Sequence, residues 1–378
     1  MTQQTQRQTP LIEVEKLLRV GVVVKDLEHS TRRYAEILGI DTWEVRQWTP
    51  TNTDRLVSRG RITGATFRTA VGTTTGAARP AGVAPGPDAV PVTFELIEHS
   101  AGETPFAEMR FRRGQGISHL TLARQTHAEW EVTRAALDDA GIRIAATITA
   151  DGITRQLVDT RRILGGFIVE VEVADDPDAA WAVHETWDHA GTYTRPEGVG
   201  PVPVQGVGHF GVVVHDVVAT IEQFGRVLGV PLFRMRDWRT EEGLLEAPYY
   251  RGEPVEHGYF TGLAPFKDFG FEVIEPTYGP SHYNREFRDV HGEGIHHMLL
   301  TVGADKEHWA RQNEWLASIG IPLAMGSPLI GGSGEFCYHD TAADLGGWIL
   351  EATCRHFALD PPPTPDYVID FAALAAVL

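Results

Sequence analysis

The sequence predicts an α+β fold built as a duplication of a duplication: four modules, each a strand, a helix and then several strands, in two tandem halves. Three recurrences predict it. The run Leu17-Leu18-Arg19-Val20-Gly21-Val22-Val23-Val24, followed by Asp26, returns as Val207-Gly208-His209-Phe210-Gly211-Val212-Val213-Val214, followed by Asp216. Gly116-Ile117-Ser118-His119-Leu120 returns as Gly294-Ile295-His296-His297-Met298. The pair Val158-Asp159-Thr160 and Leu164-Gly165-Gly166-Phe167-Ile168-Val169-Glu170 returns as His339-Asp340-Thr341 and Leu345-Gly346-Gly347-Trp348-Ile349-Leu350-Glu351.

Each half opens on a β-branched run that reads as a buried strand. Asp26 or Asp216 then caps a helix whose apolar positions recur at helical spacing (Leu27, Tyr34, Ile37, Leu38; Val217, Ile221, Phe224, Leu228), with Gly39 or Gly229 at its stop. Variable stretches from Trp43 to Pro91 and from Trp238 to Phe269 follow. They lead into Phe94-Glu95-Leu96-Ile97-Glu98 and its counterpart Phe271-Glu272-Val273-Ile274-Glu275. The second module of each half starts at the strand bearing His119 or His297. A helix follows with a Trp and a Leu seven residues apart (Trp130 and Leu137; Trp309 and Leu316), ending at Gly141 or Gly320. The boundaries expected are an N-terminal tail over 1–16, a first domain over 17–174, a linker over 175–205, a second domain over 206–354 and a C-terminal tail over 355–378. Each domain is large enough to bury its own core. The linker, with Asp/Pro and Gly/Pro clusters around Trp181 to Trp187, is expected to carry one short helix, and the tail, after Pro361-Pro362-Pro363, to dock Phe371 to Leu378 as a helix.

Composition excludes several classes. A net charge of −18 over 378 residues repels polyanions, so neither nucleic acid nor an anionic membrane surface is expected as a partner. The apolar runs are strand-length, short of the roughly 20 residues of a membrane span, and the polar start of the chain lacks an apolar signal core. A cytoplasmic protein acting on a small molecule is expected, with homodimerisation allowed but not required. Cys337 and Cys354 lack the spacing of a zinc or redox pair and read as two buried thiols.

The polar residues at equivalent strand positions of the second half are His209, Glu272, His297 and Glu351, separated in turn by 63, 25 and 54 residues. Two imidazoles and two carboxylates suit Fe, Mn, Co, Ni or Zn, and the absence of a nearby cysteine argues against a thiolate zinc site. The fold has to assemble such a set. A regular strand sends neighbouring side chains to opposite faces, so only one of His296 and His297 enters a given cavity. The repeat aligns His297 with His119, which leaves His296 facing away.

On the His209-to-Asp216 strand and cap, Phe271-Glu272-Val273-Ile274-Glu275-Pro276, His291-Gly292-Glu293-Gly294-Ile295-His296-His297, and Asp340-Thr341 running to Glu351, the chain resembles the vicinal oxygen chelate (VOC) superfamily. It is most similar to the methylmalonyl-CoA epimerase-like and glyoxalase I-like members, with the extradiol dioxygenases as a related alternative. The resemblance covers about 17–174 and 206–354. It implies four βαβββ modules in two tandem VOC domains, each an open β-cup flanked by helices, with one divalent metal ion on His209, Glu272, His297 and Glu351.

The activity implied is proton transfer through a metal-stabilised enolate on a small oxygen-chelating substrate, in an epimerase, isomerase or lyase. Glu351 or Glu272 would serve as ligand and base, and Tyr338 as a hydrogen-bond donor, against the plainer reading of Tyr338 as core packing. One alternative is an Fe(II) extradiol-type ring-cleaving dioxygenase with His209, His297 and Glu351 as its face. Against it, Gly326 to Phe336 holds no further His, and Glu272 fills a position that those enzymes leave free. A second alternative is a small-molecule binding or sequestering protein.

The first domain departs from the pattern. Glu95, His119 and Glu170 occupy ligand-like positions, but Arg19 stands where a ligand His belongs, and a guanidinium does not coordinate a cation. A salt-bridged, metal-free cup is expected there, or one in which Arg19 binds a carboxylate or phosphate. Trp238, Tyr249, Tyr250, Tyr259 and Phe260 are candidates to line a pocket for a ring-bearing substrate, though such residues also simply pack strands. Arg110, Arg112 and Arg113 are the nearest thing to a basic patch for a CoA thioester, and they lie in the metal-free half.

Overall fold

The computed structural model describes residues 9–77, 90–240 and 244–371. The first half runs β1 (Arg19–Val23), α1 (Leu27–Leu38), β2 (Thr42–Trp48), β3 (Arg55–Ser58), β4 (Arg61–Ile62), β5 (Thr66–Thr73), β6 (Thr93–Ala101) and α2 (Pro105–Arg113). It continues with β7 (Gly116–Gln125), α3 (His127–Asp139), β8 (Ile144–Ala150), β9 (Ile153–Val158), β10 (Ile168–Val173) and β11 (Glu185–Asp188). The second half runs β12 (His209–Val213), α4 (Val217–Leu228), β13 (Leu232–Arg239), β14 (Tyr249–Tyr250), β15 (Glu253–Pro254), β16 (Gly258–Phe266) and β17 (Phe269–Tyr278). A π-helical turn (Tyr283–Arg288) enters α5 (Asp289–His291), then come β18 (Gly294–Gly303), α6 (Lys306–Ser318), β19 (Leu323–Pro328), β20 (Gly334–His339), β21 (Ile349–Arg355) and β22 (Tyr367–Asp370).

Each half forms one curled 11-stranded sheet, and the two match strand for strand: β11-β2-β5-β6-β1-β7-β10-β9-β8-β3-β4 and β22-β13-β16-β17-β12-β18-β21-β20-β19-β14-β15. The opening helices form as the sequence predicts. Asp26 accepts from the His29 N–H and Asp216 from the Ala219 N–H, while the predicted apolar stripes are buried.

Each half buries an apolar cluster of its own, one around Trp48, Phe67 and Phe106 and the other around Tyr259, Tyr283 and Tyr338, but a larger cluster joins the two. The two Leu-Gly-Gly-aromatic turns interlock them: Phe167 stacks on Phe271 and meets Phe224 of the second half, and Trp348 stacks on Phe94 and meets Tyr34 of the first. Trp348 Nε1 donates to the Tyr34 hydroxyl at 2.8 Å, and that hydroxyl donates to the Leu345 carbonyl at 2.8 Å. Phe167 and Trp348 are fully buried, so truncating either to Ala would cost about 3–5 kcal/mol and loosen the pairing of the halves.

The segments taken as tail and linker also repeat. Ile12 N–H donates to the Val227 carbonyl at the end of α4, and Val202 N–H donates to the Ile37 carbonyl at the end of α1, each at 2.9 Å. Ile12 and Val14 are core residues. In place of a short linker helix there is strand β11, antiparallel to β2, and the C-terminal segment supplies the matching β22 against β13. Both edges offered unpaired backbone groups, which a following segment could satisfy more readily as a strand than as an isolated turn of helix. Of the expected C-terminal helix, Phe371 packs on Phe233 and the remainder lies outside the described residues. Both cysteines are buried and unpaired. No helix among the described residues is long and apolar enough to cross a membrane.

Candidate metal centre

Four neighbouring strands, β21, β18, β12 and β17, carry Glu351, His297, His209 and Glu272. Gly211 lies opposite both His297 and Glu272 across its two strand neighbours. A Cβ on Gly211 would fall 1.9 Å from His297 Cε1, so only glycine lets that ring lie across β12 toward His209. His209 precedes Gly211 by two residues and shares its face; Glu351 pairs with Leu299, two residues beyond His297. Register thus gathers four residues spread over much of the half.

His209 Nε2 and His297 Nε2 lie 2.8 and 3.2 Å from Glu351 Oε2 and 3.4 Å from each other. Glu272 Oε2 lies 3.3 Å from His209 Nε2 and 3.6 Å from His297 Nε2. Two donors each about 2.1 Å from one ion stand roughly 3.0–3.4 Å apart for angles between 90° and tetrahedral, so these spacings fit a shell around a single borderline divalent cation. The four carry two negative charges and no fixed positive one. Burial alone would lower His297, but hydrogen bonds and charge from Glu272 and Glu351 outweigh it and hold it at about 9. Burial would raise Glu351, while His209 and His297 bring it below the carboxylate range. The carboxylates that favour a proton on His297 would equally favour a cation in its place.

His296 does not face away. Gly211 pairs with His297 and Val212 with Ile295, so β18 bulges at His296, and the extra residue breaks the alternation on which that expectation rested. The His296 and His297 Nδ1 atoms are 2.9 Å apart, and His296 Nε2 is 2.7 Å from His282 Nδ1. Burial, then the charges of His282 and His297, hold His296 well below its ordinary value, so it is neutral and can accept from His297 Nδ1–H. That bond leaves His297 Nε2 as the free donor toward the cup. A doublet of histidines at the strand entry was the visible signal; the bulge was not visible.

Tyr338, on β20 opposite Glu351, packs on His297 at 4.9 Å and shares a 2.6 Å hydrogen bond with Tyr283. Beyond Glu272 opens a cavity of about 760 Å³, walled by Trp238, Thr261 and Leu263 from the sheet and roofed by Phe357, Pro362 and Pro363 from the C-terminal segment. Of the other aromatic candidates, Tyr259 lies beside Trp238 and Tyr283, Phe260 faces out toward Tyr367, and Tyr250 donates to Glu286 at the sheet's edge. Tyr249 backs Gly326. Arg110 donates to the Gly114 carbonyl at the end of α2, and Arg113 turns between the halves to donate to the Glu293 carbonyl. Arg112 and Arg113 line one cleft of about 380 Å³ with Arg161 and Arg162, away from the four donors, and Arg110 is not among its lining residues.

The first cup repeats the framework with a different centre. Gly21 lies opposite His119, β7 bulges at Ser118, and Ser118 Oγ lies 2.9 Å from His119 Nδ1. Glu95, His119 and Glu170 converge there. Between them lies Arg155 of β9, fully buried, with Nη1 and Nη2 on Glu95 at 2.7 and 2.6 Å, and Nε and Nη2 on Glu170 at 3.0 and 2.6 Å. Arg19 adds contacts of 2.5 Å to Glu172 and 3.2 Å to Glu170. A guanidinium thus occupies the space that an ion would need. Its counterpart in the second half, by strand register, is Phe336. The sequence reading singled out Arg19 and missed Arg155, although an arginine in the apolar alternation of Ile153–Val158 was its trace.

No protein-family model matches the chain, and no curated protein does. Among solved structures it is similar to a variant of 4-hydroxymandelate synthase from Streptomyces coelicolor at 15% identity and TM-score 0.47, over 92% of this chain and 94% of that one. It is similar to a 2,3-dioxygenase from Pseudomonas sp. KL28 at 14% identity and TM-score 0.41, over 94% and 96%. Methylmalonyl-CoA epimerase from Streptomyces coelicolor matches at 12% identity and TM-score 0.30, over 43% of this chain and all of that one. Values this low carry no argument about the reaction. The strand order stands on its own: two sheets match strand for strand, each made of two modules joined at an antiparallel central pair.

Proposed function

We propose that the chain is an enzyme that holds one divalent metal ion on His209, Glu272, His297 and Glu351 and moves a proton on a small organic substrate with two adjacent oxygens. The observation that supports this most is the position of Glu272. It alone of the four lines the cavity, so a carboxylate stands between the donor set and the space for substrate. A bound divalent ion supplies Lewis-acid polarisation of paired oxygens and stabilises the negative charge that develops when a neighbouring carbon loses a proton. The remaining work falls to the chain. His209, His297 and Glu351 form the fixed face, and Glu272, farther than Glu351 from both imidazoles, takes the proton and returns it. Tyr338, its phenol raised well above the ordinary value by burial and by Glu351, keeps its proton and donates a hydrogen bond.

His209, His297 and Glu351 also match the two-His, one-carboxylate face of an Fe(II) ring-cleaving dioxygenase, which is the second reading. Loading the protein singly with Mn, Fe, Co, Ni or Zn and offering hydroxyketones, malonyl thioesters and catechols in D₂O separates the two. Proton transfer predicts deuterium entering the carbon acid, with loss of about 10²–10⁴-fold in rate in Glu272→Gln. Oxygen uptake on catechols with Fe, surviving in Glu272→Gln, would instead establish the dioxygenase. Metal binding with neither reaction would leave a sequestering protein.

A further inference from the structure

Resting on that reading, and going beyond it to the substrate, we infer that the second cup takes an organic anion whose charged end is held by Arg234, Arg236 and Arg355 and whose oxygen pair meets the four donors. Arg234, Arg236 and Trp238 alternate along β13 and so share one face, in register with Leu263, Thr261 and Tyr259 of β16. Arg355 ends β21, four residues past Glu351 and on the same side of the strand. All three guanidinium side chains line the cavity that Glu272 lines.

The first cup shows what the wall looks like without this role. Counting from the helix-stop glycines, Gly39 and Gly229, Glu44 corresponds to Arg234, Arg46 to Arg236 and Trp48 to Trp238. Through the Glu170 and Glu351 strands, Glu172 corresponds to Thr353 and Ala174 to Arg355. At 234, 353 and 355 alike, the second wall is more positive than its twin. Arg46 is also used internally, by Asp151 and by the Asn52 and Ala182 carbonyls. In the second cup, among the described residues, no carboxylate lies within ion-pairing distance of Arg234, Arg236 or Arg355; Arg236 lies 5.3 Å from the Trp238 ring and donates to the Thr364 carbonyl. Three guanidinium groups with no ion-paired carboxylate among the described residues, in one cavity whose lining carboxylate is Glu272, give this wall a positive charge that attracts anions in a chain with net charge −18. Guanidinium binds carboxylate and phosphate alike through paired hydrogen bonds. Trp238, Leu263, Leu329 and Phe357 offer apolar surface to the body of the ligand, and about 760 Å³ is ordinary for a small-molecule site.

The test is calorimetric titration of the metal-free protein with 3-phenylpropanoate, its neutral amide and phenethyl phosphate. One of the anions should bind at least about tenfold tighter than the amide, and which one tells carboxylate from phosphate. Arg234→Glu with Arg355→Ala, the residues the first cup carries, should abolish that preference while the melting temperature and metal uptake stay as in the wild type. Equal binding of amide and anions, no saturable anion binding up to roughly 10 mM, or a preference that survives the double substitution would each overturn the inference. Because no metal takes part in the titration, a failed metal centre and a failed anion site give different results.

Discussion

The two cups share eleven strands in one order, a bulge beside the same histidine and carboxylates in the same register, and they part company at the centre over two side chains, Arg19 in place of His209 and Arg155 in place of Phe336. Arg155 fills the first; Phe336 stands at its position in the second and leaves the donors facing one another. The mouths follow suit. Trp181 packs on Trp48 at 5.2 Å and donates to Glu172, leaving a cleft of about 240 Å³, whereas the C-terminal segment roofs about 760 Å³ over the second cup. Glu, His and Glu converging in a β-cup are therefore not enough to specify an ion site; the same three become a buried salt-bridge network once the chain supplies its own cation.

The largest expected effect comes from removing that cation. Arg155→Met leaves Glu95 and Glu170 buried with only Arg19 and His119 to compensate them, and should destabilise the protein by about 3–5 kcal/mol in denaturant unfolding. Burial opposes the charge on Glu95, and Arg155 is the leading influence holding it down to about 2. The loss should be partly recovered at low pH, where the freed carboxylates protonate. A variant as stable as the wild type at pH 7 would mean that the first cup tolerates unpaired carboxylates, and the contrast with the second would lose its basis.

Much of this contrast is legible in the chain, for a physical reason. Duplicated modules print the same register twice, so His209, Glu272, His297 and Glu351 can be read from position alone, and Arg19 as their exception. Arg155 cannot be read that way, because its counterpart is Phe336, which carries no polar mark, and its role exists only where four strands meet. His296 escapes because a bulge changes which face a residue takes without changing the residue. Strands β11 and β22 escape because segments of four residues pair with an edge only once the edge is there.

His296 sharpens the comparison at smaller scale, since its equivalent in the first cup is Ser118, in each case against the Nδ1 of the inward histidine. If that neighbour sets the orientation of His297, His296→Ala should weaken metal affinity about 10–100-fold, and His296→Ser, borrowing the first cup's solution, should recover part of the loss. Competition with a chromophoric chelator gives both values. Equal affinities in the wild type and His296→Ala would assign the imidazole to packing beneath Tyr283 and Phe287 instead.

The gentlest probe is pH. His297 is held at about 9 in the metal-free cup, above the ordinary 6.5 of an unfolded histidine. A raised folded value means that its contribution to the stability of the metal-free fold is complete below about pH 6.5 and is lost as pH rises through about 9. Metal binding runs in the opposite direction, because an ion on Nε2 must displace that proton. Affinity should therefore climb about tenfold per pH unit from pH 7 toward 9 and level off beyond, and calorimetry at pH 7.5 in buffers of different ionisation heat should record close to one proton released per ion. The first cup contributes nothing to this count, since Arg155 keeps its charge throughout and holds the place of the ion. A flat affinity between pH 7 and 9 would mean that His297 is not displaced, that any ion rests on the remaining donors, and that the second cup resembles the first more closely than its geometry suggests.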